Sequence, residues 1–207
     1  MITKEKIVEK ALELFNNEGI EYVRMRELAL ALNMRIGNVT YYFPTKNDLV
    51  MEITQGLRRL NTQVIGMACH DLKDFFTMYR QIFHNQYKYK CLFLSFVHLV
   101  SQNHLIAAHY KETEKRRKDS LRGHISAFIK NGYLVKTASG ETTELIISHF
   151  SLISRFWLSE SRISYDGQEI EVTIGHYLEL MGEVLLPYVT AKGRREIAAL
   201  KKQNIQI

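Results

Sequence analysis

The sequence predicts an all-α protein in two parts, a three-helix unit at the N-terminus fused to a larger helical body. Three observations carry that prediction. Apolar residues recur at i, i+3, i+4 and i+7 in successive segments, the period of helices with one buried stripe. Pro44 and Pro187 are the only prolines in 207 residues, so few helices are interrupted. No Gly/Ser linker, repeat or low-complexity tract separates the parts, so a continuous helix is expected to join them. The expected divisions are 1–46, 47–190 and a basic tail at 191–207.

Thr3 can cap a first helix whose inner face is Ile7, Val8, Ala11, Leu12 and Phe15, closed by Gly19. A second helix buries Met25, Leu28, Ala29 and Leu32. The turn Leu32-Asn33-Met34 follows, with Asn33 tolerating a left-handed backbone and Met34 dropping back into the core. A third helix, Ile36 to Tyr42, turns Val39 inward; Phe43 plugs the core and Pro44 ends the helix. Thr45 with Asp48 approximates a capping box for the next helix.

That joining helix runs from Asn47 to about Gly66 through Leu49, Ile53, Leu57, Leu60 and Val64. Asp71 to Lys90 buries Leu72, Phe75, Phe76, Tyr79, Ile82 and Phe83, and Cys91 to Val100, apolar all round, reads as one central helix. His104 to Phe128 carries the charge run Lys111 to Arg122, read as a solvated face, and Asn131-Gly132 ends it. Thr142 to Trp157 and Ile170 to Leu185 form two late helices on either side of a polar break at Ser159 to Gly167. Both carry more apolar surface than one core needs. A four-helix dimer interface through Leu145, Ile153, Ile170, Ile174, Tyr177, Leu178, Met181 and Leu185 is therefore expected. Lys192, Arg194, Arg195, Lys201 and Lys202 read as a frayed basic tail.

The hinged helix pair from Arg24 to Lys46 has the form that enters a DNA major groove. The first fifty residues of the chain hold seven basic and seven acidic side chains, so the net charge of +6 arises elsewhere and distribution decides. The acids sit mainly on the first helix, whereas Arg24, Arg26, Arg35 and Lys46 bracket the expected reading surface. Arg26 offers two parallel donors suited to guanine, Asn38 suits adenine or phosphate, and Ile36 a thymine methyl. Thr40, Tyr41, Tyr42 and Lys46 would hold register on phosphates, and Gly37 would let the helix approach the backbone closely. Tyr42 could instead pack over Phe43 and the first helix.

These residues resemble the TetR-type (TetR/AcrR) family of helix-turn-helix transcriptional regulators. The matching positions are Ile7, Ala11, Leu14, Phe15 and Gly19, then Met25 to Ala29, then Gly37 to Phe43, Lys46 and Leu49. The resemblance covers the first quarter of the chain closely and the rest in length and helical layout. It implies a dimeric repressor that binds palindromic operator DNA until a small-molecule effector releases it. Four positions depart from the family pattern. Arg24 and Arg35 stand where helix-capping hydroxyls are usual, at a cost of about 1 kcal/mol each. Thr40 replaces the first tyrosine of the recognition helix and Asn33 the glycine of the turn.

An effector, expected to be largely apolar, would enter the aromatic body near Tyr79, Phe83, Phe96, His98, Gln102, His109, Phe150, Ser154 and Trp157. A helical DNA-binding or adaptor protein without an effector is the alternative. Enzymatic chemistry is not expected: there is no Gly-rich phosphate loop, nucleophile elbow or tight metal-ligand spacing, and no cofactor or metal is expected. Cys69 and Cys91 read as reduced thiols, and with no signal peptide or membrane span the expected location is the cytoplasm.

Overall fold

The computed structural model describes residues 3–66, 69–136 and 140–202. Its helices are α1 (Lys4–Glu18), α2 (Met25–Ala31), α3 (Ile36–Tyr42), α4 (Lys46–Ile65), α5 (Leu72–Lys88), α6 (Lys90–Leu94) and α7 (Phe96–Gln102). They continue with α8 (His104–Lys130), α9 (Gly140–Ser164), α10 (Ile170–Leu185), a 3-10 turn (Leu186–Tyr188) and α11 (Ala191–Lys202). The contacts divide the chain into Met1–Thr62 with Asn85–Tyr110, and Gln63–His84 with Lys111–Ile207.

In the first unit, α1 buries Ile7, Ala11 and Phe15 against Leu28 and Ala29 of α2, Val39 of α3, Phe43, and Leu49, Val50 and Ile53 of α4. Each of the larger of these side chains, the isoleucines, leucines, valines and phenylalanines, contributes about 1.5–3 kcal/mol when fully buried, enough to hold three short helices that could not persist alone. The α1 cap is made by Thr3, whose hydroxyl oxygen accepts from the Lys6 amide. Thr45 and Asp48 complete the box at α4: the Asp48 amide donates to Thr45 Oγ1 at 3.2 Å and the Thr45 amide to Asp48 Oδ2 at 2.9 Å.

The expected central helix Cys91 to Val100 is instead two, α6 and α7, broken at Ser95. Ser95 is buried and donates its hydroxyl to Glu21 Oε2 at 2.8 Å. α6 packs on α1, and Cys91, Leu92 and Leu99 join the core while Leu94, Val97 and His98 are exposed, so apolar composition alone misplaced it. Asn16 secures the preceding break: its side-chain amide donates to the Lys88 carbonyl at 2.9 Å and its oxygen accepts from the Cys91 amide at 3.0 Å. Gly56 in α4 leaves room for Tyr89 at that break, whose hydroxyl would lie 3.1 Å from any Cβ placed there.

The second unit is built on aromatic side chains. Phe75 meets Tyr79, Phe128 and Phe150 with ring centroids 4.9, 5.4 and 5.7 Å apart, and Phe83 stacks on Trp157 at 4.8 Å. α10 lies along α9 and buries Ile174, Tyr177, Leu178, Met181 and Leu185, each at most 4% exposed. Those five were expected to face a second copy; they are spent inside the chain, because the neighbouring aromatic core takes the strongest stripe of α10. Of the eight expected interface residues, Leu145 is exposed and Ile153 and Ile170 half-buried. The outward apolar residues are Leu145, Leu152, Phe156 and Ile163 on α9, with Val172 and Leu180 on α10.

The expected frayed tail is the packed helix α11, anchored by buried Ile197 and Leu200. Lys192 donates to the Asn131 carbonyl at 3.0 Å and covers the Tyr133 ring, while Arg194 and Arg195 stay exposed. The side chains of Lys201 and Lys202, and residues 203–207, lie outside the described residues.

Candidate nucleic-acid interface

The turn between α2 and α3 is fixed by Asn33, which takes the left-handed conformation at φ 53°. The Met34 amide reaches back to the Ala29 carbonyl at 2.8 Å and the Asn33 amide to Leu30 at 2.9 Å, which closes α2 in a Schellman motif. Met34 then packs against the core. Asparagine does here what glycine does elsewhere, since its short polar side chain tolerates that region.

Both helix starts carry arginine. The Arg24 amide donates to Glu27 Oε2 at 2.7 Å, half of a capping box; a guanidinium has no acceptor with which to complete the other half. Arg35 caps α3 in extended conformation with no side-chain bond to the helix. Arg24, Arg26 and Arg35 are all exposed and form no ion pair with another described residue. On α3 itself Val39 is buried, and Gly37, Asn38 and Ile36 are exposed. A Cβ added at Gly37 would meet nothing within 4 Å.

Tyr41 is 82% exposed and meets Tyr42 edge to face at 5.2 Å. Tyr42 is exposed as well, at 39%, so it is not packed away. Thr40 turns its hydroxyl onto its own helix, donating to the Ile36 or Gly37 carbonyl at 3.2 and 3.3 Å, which leaves the oxygen as an acceptor. Lys46 is half-buried; its ammonium donates to the Glu21 carbonyl at 3.3 Å and lies 5.9 Å from the Phe15 ring centroid. Burial lowers its pKa, with Glu21 and Glu27 acting in the opposite direction.

Tyr79, Phe150 and Ser154, of the nine residues expected around an effector, line a cleft in the second unit together with Glu114, Arg117, Leu121, Ser151 and Arg155. The cleft measures about 20 Å³, room for one water molecule. Phe83 and Trp157 are stacked in the core instead, and Phe96, His98, Gln102 and His109 belong to the other unit. The lining of this cleft is charged as well as aromatic. Glu114, Arg117 and Leu121 fall at i, i+3 and i+7 on α8, a spacing visible within the Lys111 to Arg122 run once it is not averaged into a solvated face. Arg155 Nη2 contacts Glu114 Oε1 at 2.7 Å, and Lys118 Nζ lies 3.5 Å from the same oxygen. No described helix is long and apolar enough to cross a membrane.

A buried-core helix pair with a Schellman turn, an exposed second helix and cations at both helix starts defines a helix-turn-helix DNA-binding protein. Comparison with known proteins names the family. A model of the N-terminal region of bacterial regulatory proteins of the tetR family matches residues 7–53, and a model of the TetR bacterial transcriptional repressor matches residues 50–197. The chain belongs to the TetR family of transcriptional regulators.

Its fold is similar to that of a TetR-family transcriptional regulator from Marinobacter aquaeolei VT8, with a TM-score of 0.88 at 20% identity over 98% of each chain. A putative transcriptional regulator from Saccharomonospora viridis, solved in complex with choline, has a TM-score of 0.68 at 14% identity over 90% of this chain and 97% of that one. The probable HTH-type transcriptional regulator YttP of Bacillus subtilis (strain 168) is 38% identical over 48 residues, 23% of the length of either protein.

Proposed function

We propose that the chain is a cytoplasmic, sequence-specific dimeric repressor whose two reading heads engage the half-sites of a palindromic operator until a small molecule releases them. The observation that carries the reading is α3, which turns Val39 inward and leaves Ile36, Gly37, Asn38 and Tyr41 open between the exposed Arg24, Arg26 and Arg35. In this reading Arg26 reads a base edge, while Arg24, Arg35, Thr40, Tyr41 and Tyr42 position the helix on phosphates. Lys46 keeps its place in the site with one of its three donors committed to Glu21.

A single seven-residue helix reads too few bases to bind tightly, so a two-fold arrangement is needed. The outward apolar residues of α9 and α10 supply the face for it. Gel-shift titration against the DNA upstream of the protein's own coding region is the test. Saturable, palindrome-dependent binding is expected, with Arg26→Ala losing preference among operator variants; equal binding to scrambled DNA at moderate salt would sink the proposal.

A second reading, a DNA-binding protein with no effector, is favoured by the water-sized cleft. The same titration run with a small-molecule library separates the two, because an effector shifts the midpoint only by binding the two states unequally.

A further inference from the structure

Resting on the effector-responsive reading above, we propose that the cleft of the second unit receives a small organic carboxylate, which takes the place of Glu114 on Arg155. Two arginines, Arg117 and Arg155, and one glutamate, Glu114, line the cleft with Tyr79 and Ser154, and Arg155 Nη2 meets the Glu114 carboxylate. Counted as formal charges, the lining is positive, and a planar guanidinium fork matches a carboxylate better than any neutral head group. Tyr79 and Phe150, with rings 5.9 Å apart, form an apolar floor for the rest of such a ligand.

The exchange is inexpensive for the protein because Glu114 keeps a partner. Lys118 Nζ already lies 3.5 Å from the carboxylate oxygen that Arg155 holds at 2.7 Å. Glu114 can turn toward that half-exposed ammonium, so no buried charge is stranded, the outcome that normally makes breaking an internal ion pair costly. Burial raises the Glu114 carboxyl, and Arg155 and Lys118, each by charge and hydrogen bond, together hold it below its usual value. A volume of about 20 Å³ admits no organic ligand as it stands, so entry parts α8 from α9 at the Glu114–Arg155 bond. Ligand binding is thereby coupled to a change in α8, a helix with residues in both contact units.

The test is calorimetric titration of the full-length protein with benzoate and hexanoate, against benzyl alcohol and hexanol as neutral counterparts. Carboxylates are expected to bind at least about tenfold more tightly than the alcohols, about 1.4 kcal/mol. Glu114→Gln, which removes the internal competitor, is expected to tighten carboxylate binding several-fold, and Arg155→Gln to abolish it. A gain of affinity cannot come from a damaged fold, so Glu114→Gln decides the matter even if the arginine variant misfolds. Equal binding of alcohols, or unchanged or weaker binding by Glu114→Gln, overturns the exchange. Carboxylate binding that leaves operator DNA bound would uphold the site and defeat the effector reading. Release by some other compound, with no carboxylate binding, would do the reverse.

Discussion

Gly37 is where the needs of the fold and of the surface separate. Beyond its chain neighbours and its own helix backbone, no described atom lies within 4 Å of a Cβ built there, and its backbone is helical, so no packing contact requires glycine. Glycine in a helix costs roughly 0.5–1 kcal/mol relative to alanine. Gly37→Ala is therefore expected to raise the melting temperature by a few degrees, about 2–4 °C per kcal/mol for a chain of this size, while weakening operator binding. Thermal melts and gel shifts on one preparation check both; stabilisation with undiminished DNA binding would assign Gly37 no part in contact. Asn33 was legible from sequence because few residues tolerate the left-handed region, and the Schellman bonds follow from that one conformation. The engagement of Lys46 with the Glu21 carbonyl was not legible, since it joins residues 25 positions apart.

At the scale of elements, α1 and α4 are joined by Glu52, whose carboxylate contacts Lys4 at 2.6 Å and Arg59 at 3.3 Å. The hydrogen bond from Lys4 holds the Glu52 carboxyl below its usual value, against burial, with Arg59 assisting. A carboxyl depressed in the folded state contributes stability that is complete above the unfolded value, about pH 4.3, and is lost as pH falls through the lower folded one. Glu52→Gln should therefore flatten the stability profile between about pH 5 and 3, read by denaturant titration at each pH. Parallel profiles for variant and parent would show the link to be inert.

Helical periods placed nearly every element, yet period says that a stripe is buried and not against what. The stripe of α10 packs within its own chain for that reason, and the basic tail hid the two apolar anchors of α11, Ile197 and Leu200. Ser95 breaks α6 from α7 through a bond to Glu21, 74 residues away in sequence, which no local pattern carries.

For the whole molecule, the proposed dimer rests on Leu152 and Phe156, which are 55% and 37% exposed, and on Ile163 at 84%. Leu152→Glu combined with Phe156→Glu places charge on surface positions, where folding is little affected. Light scattering is expected to report a monomer with unchanged helicity, and gel shifts a loss of palindrome binding of about a hundredfold or more, since one half-site contact is removed. A variant that stays dimeric would move the interface elsewhere.

Local patterns in the sequence by themselves determined the helical class, the helix-turn-helix with its turn and caps, and the family, because these depend on residues within a few turns of one another. Only the tertiary structure decided which apolar stripes are core and which are surface. It also decided that residues 85–110 join the reading unit and that Glu114, Arg117 and Arg155 meet at one cleft. The physical reason is that burial and charge pairing are properties of helices brought together from distant parts of the chain, while period, caps and turns are properties of each helix alone.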